Sequence, residues 1–352
     1  MFRKKAILFL LIIALSVVAL AACGRNIDTS SANKAQNQTT GVVPVNTSDW
    51  AKTPKGQALV SPQWVNAVIN GNEAATYKND KYMILEASWG ATSDGYSAGH
   101  IPGAYHFNTD NIETEENNWN LGPVDHVKDS LTAAGITSDT TVIVYYNEPK
   151  DLAGAARVAF ALMWAGVKDV RLLDGGLTTW KAAGYAIETK VNQPAAVADF
   201  GVEIPQHPEY VITTPKEVLE AQKNENFRLI SIRTWDEFTG KISGYDYIKG
   251  AGEPKGAVWG HCGQDTFGVM TDYANEDGTW KSFSEIEPMW AEWGITKNTI
   301  NSFYCGTGWR ATVPWLMAYM QGWDNITVYD GGWYMWEMDK SLPVQKGDPR
   351  EK

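Results

Sequence analysis

The stretch Asn301-Ser302-Phe303-Tyr304-Cys305-Gly306-Thr307-Gly308-Trp309-Arg310-Ala311 reads as a strand that stops at a cysteine, turns on two glycines and launches a helix. Glycines at 306 and 308 let successive backbone N–H groups turn inward, and the helix adds its positive N-terminal end. The loop is therefore a seat for an anionic thiol on Cys305. The same order of features occurs earlier, where the apolar strand Thr141-Val142-Ile143-Val144-Tyr145 also precedes a helix and Asn147 reads as the counterpart of Cys305. Working outward, Ser61-Pro62 and Thr214-Pro215 each open a helix with proline at its first position, the second with a capping box through Glu217. Each of these helices leads to a strand, Met83-Ile84-Leu85 or Leu229-Ile230-Ser231-Ile232. A glycine turn follows, Gly99-His100-Ile101-Pro102-Gly103-Ala104 or Gly252-Glu253-Pro254-Lys255-Gly256-Ala257. The halves close on Asp174-Gly175-Gly176 and Asp330-Gly331-Gly332, with Trp180 and Trp336 six residues beyond the aspartates. Strands alternating with helices predict parallel sheets flanked by helices, so the chain reads as α/β with two domains, 53–195 and 205–343. The segment 191–208, with prolines at 194, 205 and 208, reads as the linker.

With 352 residues, 44% of them hydrophobic, the chain can bury two ordinary cores. Its net charge of -11 disfavours nucleic acid, which needs a basic face, while leaving room for a small anion in a local nest of N–H groups. The three cysteines, Cys23, Cys262 and Cys305, are too scattered for a disulfide framework or a four-ligand zinc site. No metal or organic cofactor is implied.

Arg3, Lys4 and Lys5 followed by the apolar run Ala6–Ala22 have the layout of a secretory signal. Leu20-Ala21-Ala22-Cys23 resembles the bacterial lipoprotein signal, which implies a signal peptide over 1–23, lipidation at Cys23 and an extracytoplasmic protein anchored to the membrane. Residues 24–52, rich in Ser, Thr, Asn and Gln, read as a flexible polar tether.

The motifs as a set resemble the tandem-domain rhodaneses, which include thiosulfate and 3-mercaptopyruvate sulfurtransferases. Leu85-Glu86-Ala87-Ser88-Trp89 with the Gly99–Ala104 turn is similar to the first rhodanese domain. Arg233, Glu237, the Cys305–Arg310 loop and Tyr329-Asp330-Gly331-Gly332-Trp333 are similar to the second. The resemblance implies that Cys305 takes sulfane sulfur from a small donor, carries it as a persulfide held by the loop Gly306, Thr307, Gly308, Trp309 and Arg310, and passes it to a thiol or cyanide acceptor. It also implies that the first domain is a non-catalytic partner. Thiosulfate enzymes of the vertebrate type carry an arginine where this chain has Glu237, so donor preference is open.

Among single residues, Arg310 reads as a donor-binding side chain at the start of its helix. Arg233 and Glu237, at i and i+4, read as a structural pair, with Arg233 a possible accessory to the site. Cys262 reads as a loop residue near the cleft, with a sulfur-relay role as the alternative. Arg157, in the first domain, reads as a helix-surface arginine, with an interface or substrate role as the alternative. Two other functions compete. A cysteine phosphatase also sets a cysteine before an arginine, but four residues separate Cys305 from Arg310, one fewer than in such loops. A non-catalytic surface binding protein on the same scaffold is the other, since fold does not guarantee activity.

Overall fold

The computed structural model describes residues 41–263 and 270–351. The signal peptide expected over 1–23 with lipidation at Cys23, and the expected tether up to residue 40, lie outside the described residues. The strands are β1 (Leu59–Val60), β2 (Tyr82–Ser88), β3 (Tyr105–Asn108), β4 (Thr141–Tyr145), β5 (Asp169–Leu173), β6 (Val211–Ile212), β7 (Phe227–Ser231), β8 (Glu253–Pro254), β9 (Val258–Trp259), β10 (Ile300–Tyr304), β11 (Ile326–Tyr329) and β12 (Val344–Gln345). The helices are α1 (Pro62–Ile69), α2 (Asp94–Ala98), α3 (Val124–Ala133), α4 (Leu152–Ala165), α5 (Gly176–Ala182), α6 (Pro215–Ala221), α7 (Trp235–Phe238), α8 (Phe283–Glu292), α9 (Trp309–Met320) and α10 (Gly332–Met338). Two five-stranded sheets result, ordered β1-β5-β4-β2-β3 and β6-β11-β10-β7-β9, and every pairing within them is parallel. A short antiparallel pair joins β12 to β8.

Local chemistry explains the starts of the helices. The Ser61 hydroxyl accepts from the Trp64 N–H at α1, and Thr214 with Glu217 forms the reciprocal capping box of α6. Central strands are buried on both faces, as parallel strands under two helical layers must be: all five residues of β4 are buried.

The two sheets lie in one compact unit, joined through α4 and α9. All fourteen residues of α4 are buried, because it packs on its own sheet on one side and on α9 on the other. Alanines and Gly154 let the helices approach, and Phe160 meets Trp315 edge-on at 4.6 Å between ring centroids. The last ten residues of the tether expected over 24–52 are packed against the fold. From Val43 the chain is paired to Glu73 and Ala75, and Trp50 is buried with its Nε1 donating to the Lys281 carbonyl at 3.0 Å. The apolar side chains Val45 and Trp50, outnumbered by polar neighbours in sequence, each find a buried site.

The repeat is visible in register. Glu86 pairs with Tyr145, and Ser231 with Tyr304, so the residue after each central strand is Tyr146 in the first domain and Cys305 in the second. The turns agree: the Leu177 N–H donates to the Tyr146 carbonyl and the Trp333 N–H to the Cys305 carbonyl, both at 2.8 Å. The counterpart of Cys305 is thus Tyr146, one residue before Asn147. Its hydroxyl reaches across to donate to the Gly278 carbonyl at 2.6 Å.

Asp174 sits at the same interface, accepting from the Trp280 N–H at 2.8 Å. Burial pushes its carboxyl up to about 7. A carboxyl that stays protonated in the folded chain contributes stability below its unfolded pKa, and that contribution is lost as pH rises through the folded value. Stability is therefore expected to fall between about pH 4 and 7, by up to roughly 1.4 kcal/mol per pH unit from this group. Asp174→Asn keeps an oxygen acceptor for Trp280 and removes the titration. Thermal melts of both proteins across that range check this: the melting temperature of the variant should decline less.

Candidate active site

Strand β10 delivers Cys305 to the C-terminal edge of the second sheet, where ligands bind in open α/β folds. The loop that follows is held from three directions. From behind, the first turn of α10 donates the N–H groups of Trp333 and Tyr334 to the carbonyls of Cys305 and Gly306, at 2.8 and 3.1 Å. Gly332, at φ 55°, is required for that approach, since a Cβ there would lie 2.2 Å from the Gly306 carbonyl oxygen.

From one side comes Tyr245, whose hydroxyl oxygen accepts from the Gly306 N–H at 2.7 Å and from Arg310 Nη2. Arg310 is 2% exposed and grips Glu237 with both terminal nitrogens, at 2.9 and 2.8 Å. Its Nη1 also lies 3.5 Å from Cys262 Sγ. Glu237 is 3.5 Å from Arg233 Nε, and Arg233 Nη1 donates to Glu253 at 2.6 Å and to the Gly252 carbonyl at 2.8 Å. Glu253 closes the chain by accepting from Ser231 Oγ at 3.2 Å and from the Tyr304 hydroxyl. Four buried residues of alternating sign thus run from Tyr304, the last residue of β10, to the loop.

From the other side the first domain supplies Glu113 and Arg157. Arg157 Nε donates to Glu113 at 2.9 Å and its Nη1 pairs with Asp330 at 2.5 Å. Glu113 also accepts from Trp309 Nε1, and Asp330 accepts from the Leu121 N–H at 2.6 Å.

These features match known proteins. The chain matches the Rhodanese-like domain family twice, over residues 63–183 and 214–339. It belongs to the rhodanese family. It is 43% identical over 298 residues to thiosulfate sulfurtransferase YnjE of Escherichia coli (strain K12), spanning 84% of this chain and 67% of that protein. It is 28% identical over 291 residues to the human 3-mercaptopyruvate sulfurtransferase, spanning 80% and 92%. The anaerobic ergothioneine biosynthesis enzyme from Chlorobium limicola, solved in complex with its natural substrate trimethyl histidine, superposes with a TM-score of 0.81 at 37% identity, covering 84% of this chain and 72% of that one. The rhodanese described here is a sulfurtransferase of two α/β domains.

Several expectations change in this setting. Arg310 does not project to the loop mouth; Glu237 and Tyr245 turn it inward. Arg157 is fully buried and no surface residue. The principal partner of Arg233 is Glu253, which lies in the altered turn and was legible there only as a departure from the usual motif. Cys262 is buried against Met270, with sulfur atoms 3.4 Å apart, and burial pushes its thiol up to about 11 although Arg310 opposes this. Burial also raises Glu253 and Glu113 to about 7. Burial acts on Glu237 in the same sense, but Arg310 and Arg233 outweigh it and hold that carboxyl at about 2. Among the described residues, no group of three or more His, Cys, Asp or Glu is placed to hold a metal ion.

Tyr245 and Tyr247 carried no signal in sequence, lying in a glycine-punctuated loop without periodicity. Burial raises the phenol of each, and Tyr247 Oη is 3.4 Å from Thr307 Oγ1. Tyr245 explains Gly306: a Cβ at that position would lie 2.3 Å from the ring. Gly306→Ala is expected to cost about 1–3 kcal/mol in the native background and close to nothing once Tyr245→Ala has removed the ring. Denaturant melts of the four proteins of this cycle measure the coupling. Equal costs in both backgrounds would show that the ring is not the constraint.

Proposed function

We propose that this sulfurtransferase works through a persulfide on Cys305, taking sulfane sulfur from thiosulfate or 3-mercaptopyruvate and passing it to a thiophilic acceptor in a ping-pong cycle. The observation that carries the reading is the seat of Cys305: the end of a buried parallel strand, a two-glycine loop, and the N-terminus of a twelve-residue helix. In the first half-reaction the thiolate bonds to the outer sulfur of the donor. The donor bond to that sulfur breaks, and sulfite or the enolate of pyruvate leaves with the electron pair. In the second, the acceptor attacks the outer sulfur and the Cys305 thiolate is restored. The N–H groups of Thr307, Gly308 and Trp309 at the helix start supply the positive potential for the sulfur anion. Tyr146 at the equivalent position supports a first domain without a sulfur-carrying role.

A second acceptor class is supported by the tyrosines at the mouth. Tyr247 is 47% exposed and packs edge-on against Tyr334 at 5.7 Å between centroids, a surface suited to a quaternary ammonium. Given the similarity to the Chlorobium limicola enzyme, a trimethylated histidine belongs among the acceptors to test. The N-terminal sequence supports lipidation at Cys23 and an extracytoplasmic, membrane-anchored enzyme.

Incubation with thiosulfate, and separately with 3-mercaptopyruvate, is expected to add one sulfur, about 32 Da by intact mass, that Cys305→Ser does not take up. The added sulfur should then leave on addition of cyanide, a small thiol or trimethylhistidine, and the acceptor that discharges it fastest identifies the class. Absence of any gain with either donor would remove the persulfide reading.

A further inference from the structure

We propose that Arg157 is a positioning residue for sulfur transfer: reaching from the first domain, it fixes Gly308 and Trp309, so that the non-catalytic domain sets the geometry of the loop that carries Cys305. The proposal rests on the persulfide reading above for its chemistry, and on independent contacts for its geometry.

Arg157 lies in α4, which is buried along its whole length, so its guanidinium has a fixed origin. Its three nitrogens are directed to separate places. Nε donates to Glu113, Nη1 pairs with Asp330, and Nη2 donates to the Trp119 carbonyl at 3.2 Å. Gly308 is wedged against this pair. A Cβ there would lie 2.7 Å from both Arg157 Nη1 and Asp330 Oδ1. Gly308 has φ 95°, the left-handed conformation that ends the loop and starts α9, so the ion pair abuts the residue where the N–H groups change direction. The next residue, Trp309, is held twice. Its Nε1 donates to Glu113, and its ring covers Gly154 so closely that a Cβ at that position would sit 3.3 Å from it. Glu113, Arg157 and Gly154 all belong to the first domain.

A point charge at 157 cannot reproduce this. The fork of the guanidinium spans Glu113 and Asp330 together, whereas an ammonium has no fixed planar geometry. Displacement of loop donors by about an ångström is enough to cost up to roughly 100-fold in rate.

The test uses the full chain with Arg157→Lys and Glu113→Gln. Glu113→Gln retains an acceptor for one of the two donors and drops the charge. Three readouts are taken: thermal stability, kcat and KM for sulfur transfer, and the rate of Cys305 alkylation by iodoacetamide at pH 7, resolved peptide by peptide. Both variants are expected to lower kcat by about 10-fold or more with KM changed by less than about threefold. Alkylation of Cys305 should slow by about fivefold, because a misaligned loop stabilises the thiolate less. A folded variant with kcat within about twofold of wild type, or with faster alkylation through simple loosening, would overturn the proposal and leave Arg157 as interface packing. Alkylation does not depend on sulfur transfer. If the wild-type chain takes up no sulfur the persulfide reading falls, and slower Cys305 alkylation in the variants would still show that Arg157 sets the loop. If Arg157→Lys does not fold, Glu113→Gln alone decides on the same criteria.

Discussion

The loop that bears Cys305 is held in place by buried charge. On one side run Glu253, Arg233, Glu237 and Arg310, ending at the Tyr245 hydroxyl and the Gly306 N–H. On the other stand Glu113, Arg157 and Asp330, which abut Gly308 and hold Trp309. Moving an ion into a protein interior costs several kcal/mol, and partners recover that only with good geometry and further hydrogen bonds. Such networks add little net stability. What they do is penalise every other arrangement, because a displaced loop would leave a charge buried and unpaired. The fold is built from ordinary apolar packing, and the site is specified by these ions.

Duplication explains how two networks come to face one loop. The two halves share strand order, register and the paired glycines after an aspartate, and those aspartates act reciprocally. Asp174 of the first half accepts an N–H from the second, at Trp280, while Asp330 of the second accepts one from the first, at Leu121. The halves then diverge at one position. After β4 the chain places Tyr146, whose hydroxyl anchors the second domain; after β10 it places a thiol. One copy of the strand-end position makes an interface contact and the other carries a thiol, so the first domain is packed into the surroundings of the second domain's loop.

Much of this was legible in sequence because it is local. Ser61 before Pro62 and the Thr214–Glu217 box are signals of a few residues, and the α/β alternation sums many such signals. The central strand β4 spans the expected Thr141–Tyr145, and β10 ends as expected at Tyr304, just before the cysteine. The glycines around Cys305 were legible too, but as an anion seat, whereas Gly306 is also demanded by the Tyr245 ring and Gly308 by the Arg157–Asp330 pair. What sequence could not supply was pairing at a distance. Arg157 and Arg310 look like any helix arginine until the Glu113 and Glu237 carboxylates, 44 and 73 residues away, are brought against them. Sequence points to Asn147 and not Tyr146 for the same reason: adjacent residues at a strand end are told apart by register with other strands.

The direction of Arg310 bears on the choice between a sulfur anion and a phosphoryl group. A phosphoryl transition state spreads charge over several oxygens and is stabilised by a guanidinium aimed at them. The loop's own arginine is turned away here, both of its terminal nitrogens held by Glu237 and one also by Tyr245. With that cation neutralised, positive potential at Cys305 would have to come from backbone N–H dipoles and the start of α9, a short-range field suited to a single anionic atom. A persulfide has one such atom. The same neutralisation takes away a cationic handle for a sulfonate or carboxylate, so donor recognition must draw on groups outside the Glu237–Arg310 pair.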